Sequence, residues 1–283
     1  MGMHYSEGSF LGAGDMELYY QRWLPDSDPR AVVALVHGVC EHSGRYMNVV
    51  DRLVEDSYAV YGYDQRGHGA SPGPRVHIDC WAEYREDLGS YLATVAEQVP
   101  DRPVVAYGHS LGSLVVLDYL MHEPRGLAGA IISGAALEPA GVSTPYLVAV
   151  ARMLSGVAPR FSVDLKLDAD ALSRDPEVVD SYRADPLVTS CATVRWGTES
   201  LDTLKRVKEG MGRIEIPLLV LHGEDDPLNL SGGARTLFES VSHPGKRLHI
   251  YPGVRHEPHN DFGHEQVAAD VAAWLASLTG GRA

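Results

Sequence analysis

Apolar positions along the chain gather into short, nearly unbroken runs separated by longer amphipathic stretches. Ala31–Val36, Ala59–Tyr63, Val104–Tyr107, Leu127–Ser133, Leu218–Leu221 and Leu248–Tyr251 are rich in β-branched and aromatic residues and nearly free of charge. That is the pattern of strands covered on both faces. Between them Arg45–Glu55, Trp81–Val99, Leu111–His122, Gly232–Val241 and Gln266–Leu278 read as helices. Such alternation predicts an α/β fold, with a mostly parallel central sheet and helices on both faces. Glu17–Trp23 alternates polar and apolar residues instead, and is expected to be an antiparallel edge strand.

The rhythm breaks once. From Pro139 to about Trp196 no strand–helix pair can be read; Pro139–Ala151 carries no charge, and Asp164–Asp185 is dense in Asp, Arg and Pro. The expected organisation is one core formed by residues 1–137 and 198–283, with 138–197 inserted over one end of the sheet. Composition is ordinary for a globular chain of 283 residues: 45% hydrophobic and 22% charged. The net charge of −14 repels phosphate backbones and anionic membrane surfaces, which argues against a nucleic-acid partner. Cys40, Cys80 and Cys191 show no metal or disulfide spacing, so free thiols in a reducing compartment are expected. No secretory pattern opens the chain and no apolar run is long enough to span a membrane, so the expected location is cytoplasmic.

The strongest chemical signal is Gly108-His109-Ser110-Leu111-Gly112, directly after a strand and before a helix. This is G-x-S-x-G in the strand–turn–helix context that lifts a serine hydroxyl above the sheet edge. Side chains at the two glycines would crowd the neighbouring strand and helix. A serine nucleophile needs a base, and the base an orienting carboxylate. Leu218–Leu221 runs into His222-Gly223-Glu224-Asp225-Asp226, which offers two adjacent aspartates. Leu248–Tyr251 runs into Pro252-Gly253-Val254-Arg255-His256, a histidine after the last strand. His222 lies too early on its strand to reach the serine. The loop after the first parallel strand, His37-Gly38-Val39-Cys40-Glu41, supplies a second backbone donor, so the expected oxyanion amides are Val39 and Leu111.

At these residues the sequence resembles the monoacylglycerol lipase family of α/β-hydrolases, which also holds lysophospholipases and esterases. The carrying motifs are HGVCEHSGRY (His37–Tyr46), YDQRGHGASPG (Tyr63–Gly73), GHSLGS (Gly108–Ser113), LHGEDDPL (Leu221–Leu228) and YPGVRHEPHND (Tyr251–Asp261). Leu172–Val188 resembles the cap of bacterial members. The resemblance implies an α/β-hydrolase fold whose insertion is a cap over the C-terminal sheet edge. It selects Asp226 over Asp225 as the acid, gives Ser110 and His256 as nucleophile and base, and implies that Glu41, Arg45 and His259 hold a glycerol head group. A structural Glu41–Arg45 ion pair is the plain alternative. Asp64 and Arg66 are expected to fix a turn beside the site. Cys40 and Ser113 depart from the family's small residues; Cys40 brings possible thiol sensitivity to the oxyanion loop, while Ser113 is expected to alter packing alone.

The expected reaction is cleavage of a monoacylglycerol ester through an acyl-enzyme, with no metal or other cofactor. Rival readings are a broad carboxylesterase, a lysophospholipase, a proline-iminopeptidase-like peptidase and a non-catalytic receptor. Val142, Tyr146, Leu147, Val148, Val150, Met153 and Leu154 are expected to wall an acyl tunnel or bury the cap against the core. The same helix is a candidate for shallow contact with a membrane surface. A monomer or weak homodimer is expected.

Overall fold

The computed structural model describes residues 2–122, 126–141 and 145–280. A long hairpin of β1 (Met3–Leu11) and β2 (Glu17–Pro25) opens the chain, followed by β3 (Val32–Val36), helix α1 (Met47–Glu55) and β4 (Ala59–Tyr63). Next come α2 (Ala82–Gln98), β5 (Val104–His109), α3 (Leu111–His122) and β6 (Gly129–Ser133). The segment expected to be inserted holds α4 (Pro145–Val157), β7 (Ser162–Asp164), α5 (Pro176–Ala184) and β8 (Cys191–Thr193). The chain returns to the core through α6 (Val194–Gly210), β9 (Leu218–Gly223), α7 (Ser231–Ser240), β10 (Arg247–Tyr251) and α8 (His264–Leu278).

Eight strands form one sheet in the order β1-β2-β4-β3-β5-β6-β9-β10. From β4 to β10 every pairing is parallel, while β2 runs antiparallel to both β1 and β4. Alternation along β3 shows why both faces must be covered. Val32, Ala34 and Val36 pack with residues of α2, α3 and α7 such as Leu88, Val115 and Leu237. Val33 and Leu35 pack with residues of α1 and α8 such as Leu53, Val271 and Leu275. A strand enclosed this way has no polar face, hence the unbroken apolar runs.

The N-terminal expectation needs correction. Glu17–Pro25 is antiparallel but interior; the edge is β1, registered from Met3 opposite Pro25 to Leu11 opposite Glu17. The sequence Met3–Leu11 is largely exposed, so it carries no buried-strand pattern. The inserted segment is also more regular than its sequence suggested, with two helices and the β7–β8 antiparallel ribbon. Helix α5 had a readable start: Asp175 caps it by accepting from the Glu177 amide at 2.9 Å, and Pro176 occupies its first position. Helix α6 runs without interruption through the expected boundary at 197/198.

Candidate active site

The parallel strands all deliver their C-terminal ends to the same edge, and the loops after β3, β5, β9 and β10 converge there. The turn after β5 is the tightest. A Cβ on Gly108 would lie 2.5 Å from the Gly112 carbonyl oxygen, and one on Gly112 would lie 2.0 Å from the carbonyl oxygen of Val36. Both positions therefore require glycine. Ser110 between them sits at φ +50°, a left-handed conformation that a non-glycine residue adopts at a cost. It is held there by its amide, which donates to the Ser133 carbonyl at 3.0 Å. Ser113 does more than fill space, contrary to expectation: its hydroxyl donates to the Ser110 carbonyl at 2.5 Å and accepts from the Ala136 amide at 3.0 Å.

The loops after β9 and β10 bring the remaining residues to Ser110. His256 Nε2 lies 3.0 Å from Ser110 Oγ, and His256 Nδ1 lies 2.7 Å from Asp226 Oδ2. Asp226 Oδ1 accepts from the amides of Leu228 and Asn229 at 2.8 and 3.0 Å. Burial works against the charged form of Asp226, but His256, His222 and the Asn229 amide together hold its carboxyl below the usual range. Burial would likewise lower the His256 pKa; the Asp226 charge and hydrogen bond outweigh it and raise the imidazole above its ordinary value. Asp225, the alternative acid, is exposed.

Val39 and Leu111 line the same cavity as Ser110 and His256. Leu111 opens α3, so its N–H has no acceptor within the helix. The loop bearing Val39 is braced from behind. His37 Nδ1 contacts the Gly38 carbonyl at 2.7 Å while His37 Nε2 accepts from the Gln65 amide at 2.9 Å, which fixes the proton on Nδ1. Glu41 accepts from the Gly38 amide at 2.5 Å and from the Tyr46 hydroxyl at 2.7 Å. Asp64 joins this loop to its neighbour by accepting from Ser43 N, Ser43 Oγ and Ala70 N. Arg66 instead turns to Asp87 and Glu83. Cys40 occupies φ +66°, and its wholly buried thiol is pushed up to about 12 by desolvation, which makes it unreactive.

The residues expected at a head group are split. Glu41 reaches the cavity wall, joined there by Glu257, which had no sequence signal beyond its place next to His256. Arg45 and His259 do not line the cavity. Arg45 bridges the two carboxylates, at 3.2 Å from Glu41 and 2.8 Å from Glu257, under the ring of Tyr182 from α5. Burial and the nearby Glu257 charge raise the Glu41 pKa; Arg45 holds Glu257 low against its own burial. His259 stacks on Tyr46 at 4.4 Å, and neither of its ring nitrogens has a partner among the described residues. Burial lowers its pKa to about 4, so it is neutral.

The cavity over Ser110 measures about 790 Å³ and is mostly apolar. Leu147, Val148, Val150 and Leu154 of α4 line it with Leu114, Trp196, Leu201 and Leu204. Tyr146 and Met153, expected in the same wall, point outward at 74% and 64% exposure. Val142 lies outside the described residues. No cluster of three or more His, Cys, Asp or Glu suited to a metal ion occurs among the described residues.

Residues 27–262 match the family model described as serine aminopeptidase, S33. Over 96% of its length the chain is 39% identical to a monoacylglycerol lipase of Mycolicibacterium smegmatis, covering 97% of that protein. The chain belongs to the monoacylglycerol lipase family of α/β-hydrolases. A monoglyceride lipase of Rattus norvegicus is 30% identical over 94% of the chain and 89% of its own length. The crystal structure of the Paleococcus ferrophilus monoacylglycerol lipase superposes with a TM-score of 0.85 at 32% identity, over 93% of this chain and all of that one. Membership fits the α/β-hydrolase core described above, with its antiparallel start and its tight glycine-flanked turn after β5.

Proposed function

We propose that the protein is a serine hydrolase that cleaves monoacylglycerols to glycerol and a fatty acid. The observation that carries this reading is the Ser110–His256–Asp226 relay, at 3.0 and 2.7 Å, opening into an apolar cavity of about 790 Å³. His256, oriented by Asp226, takes the Ser110 proton as Oγ attacks the ester carbonyl. The amides of Val39 and Leu111 receive the oxyanion, an interaction whose loss typically costs roughly 2.7–4 kcal/mol. His256 then protonates the departing glycerol, and water cleaves the acyl-enzyme by the reverse sequence.

Residues 138–197 act in this reading as a cap, with the inner face of α4 receiving the acyl chain. The outward side chains Tyr146, Met153, Val157 and Phe161 form an exposed apolar patch suited to shallow contact with a lipid surface. None of the described helices is long and apolar enough to cross a membrane. The three free cysteines favour a cytoplasmic location. Glycerol is assigned to the wall where Glu41 and Glu257 reach the cavity. Arg45 orients both carboxylates there, and His259 supplies an unpaired donor and acceptor behind them.

The family model's description raises an aminopeptidase alternative. A free α-amine needs an unengaged carboxylate at the cavity wall. Glu257 accepts from Arg45 and Asn260, and Glu41 from Gly38, Tyr46 and Arg45, so neither is open to an amine; Asp168, also at the wall, accepts from the Asp170 amide, and the naphthylamide arm of the assay tests it. The decisive assay compares a monoacylglycerol chain-length series with lysophosphatidylcholine, p-nitrophenyl esters and aminoacyl naphthylamides, using wild type and Ser110→Ala. Turnover of monoacylglycerol that vanishes in Ser110→Ala is expected. A preference for choline lipids or naphthylamides would refute the assignment.

A further inference from the structure

His222 does not approach Ser110, yet it is wholly buried directly behind the acid. Its Nδ1 accepts from the Ala135 amide at 3.1 Å, so that nitrogen carries no proton and the ring is the neutral Nε2–H tautomer. The single Nε2 proton faces two acceptors, the Asn229 carbonyl at 2.8 Å and Asp226 Oδ2 at 3.2 Å. Asp226 Oδ2 is the same oxygen that receives His256 Nδ1.

We propose that His222 is a positioning residue for the triad acid: its Nε2–H holds Asp226 Oδ2 in place to receive His256. The proposal rests on the triad reading given above. The ring also ties the loop after β6, through Ala135, to the 226–229 turn, so the acid is referenced to the strand next to the nucleophile. Two backbone amides grip Oδ1, but among the described residues Oδ2 has only the two histidines. A neutral donor on Oδ2 diverts part of the carboxylate charge from the His256 imidazolium. Removing that donor strengthens the field on His256 and raises its pKa, while leaving the carboxylate less firmly held. The other titratable groups around this pair are His109 beside Ser110, Glu257 and His259 on the His256 loop, Glu41 on the loop after β3, and Arg45.

Two substitutions separate positioning from packing. In His222→Asn the shorter amide keeps an acceptor near Ala135 but does not reach Asp226; in His222→Gln the amide nitrogen reaches the place of Nε2. His222→Asn is expected to lower kcat about tenfold, leave KM within about twofold, and shift the acid limb of kcat/KM upward by about half a pH unit. His222→Gln restores kcat to within about threefold of wild type and returns the limb. Equal kcat and equal limbs in the two variants, or a loss confined to thermal stability or KM, overturn the proposal. Histidine 15N spectra of the unmutated protein give a reading that does not depend on a variant folding. They are expected to show the Nε2–H tautomer for His222, and an Nδ1–H tautomer overturns the proposal. Ser110→Ala run in parallel keeps the two claims apart. Hydrolysis surviving in it defeats the triad reading, whereas an inactive Ser110→Ala beside indistinguishable His222 variants defeats this inference alone.

Discussion

Gly112→Ala places the sharpest demand on the nucleophile turn. The added Cβ would stand 2.0 Å from the Val36 carbonyl oxygen and 2.7 Å from that of His37, both backbone atoms. Real Cβ contacts essentially never fall below 3.0 Å, so α3 and the end of β3 must separate by about 1 Å. Neither partner is a flexible side chain that can swing away. Val36 is the last residue of β3 and His37 begins the oxyanion loop, while Gly112 is two residues from Ser110. The forced separation therefore widens the gap between nucleophile and oxyanion amides. Overpacking of this kind costs about 1–3 kcal/mol, and a misplacement of about 1 Å at reacting groups costs about 10²-fold in rate. The assay is kcat/KM on a soluble ester together with the urea midpoint, using Gly156→Ala as control. Gly156 lies near the end of α4 with nothing within 4 Å of its built Cβ, so its alanine variant should hold activity and gain up to about 1 kcal/mol. Gly112→Ala with wild-type kcat/KM and an unchanged midpoint would show the reasoning to be wrong.

Four further outcomes are expected. Because His256 is raised above its ordinary value of 6.5, kcat/KM falls on an acid limb whose midpoint lies above pH 6.5, and Asp226→Asn moves that midpoint down while lowering kcat by about 10⁴-fold; a pH–rate series on both proteins tests this. The same shifts act on folding with opposite signs: the His256 contribution is full below pH 6.5 and lost as pH rises through its folded value, whereas the Asp226 contribution is full above its unfolded value of 3.8 and lost on acidification, which urea midpoints across pH will report. Ser113→Ala leaves the buried Ser110 carbonyl and Ala136 amide without their bridge, a loss of about 1–2 kcal/mol or roughly 2–6 °C in Tm by calorimetry. Thiol titration of the folded protein should modify exposed Cys80 and spare Cys40 until denaturant is added.

The nucleophile turn was legible because sterics leave few alternatives: Gly108 and Gly112 are forced, and the strand before them has no polar face. His256 and Asp226 followed from their places after β10 and β9, where parallel strands must discharge their loops. The choice between Asp225 and Asp226 needed the family resemblance, since both follow the same strand. Other features depend on partners distant in sequence. The edge strand β1 is polar because one side of it faces water, so its pairing with β2 leaves no apolar signature. Tyr146 and Met153 share a helix with Val150 and Leu154, and only the position of α6 beneath decides which residues face the cavity. Glu257 lies within the Tyr251–Asp261 motif but carried no role there, and its role appears only once Arg45 arrives from a loop over 200 residues earlier. His222 was set aside as the base on strand position, and its ring contacts Ala135, Asn229 and Asp226, but that argument was silent on what lies behind Asp226.

The chain between the β7 ribbon and α5 is stitched to the loop that carries His256. His256 N and Glu257 N donate to the carbonyls of Ala171 and Leu172 at 3.3 and 2.8 Å, and Arg174 pairs with the wholly buried Asp261. The histidine and that stretch of the insertion therefore open together, as one cooperative unit smaller than the whole fold. Mild denaturant that frees residues 169–174 withdraws the base from Ser110 while the sheet is still intact, so inactivation precedes loss of the strand signal. For the same reason a chimaera that exchanges the insertion must carry residues 169–174 and the His256 loop across as a matched pair.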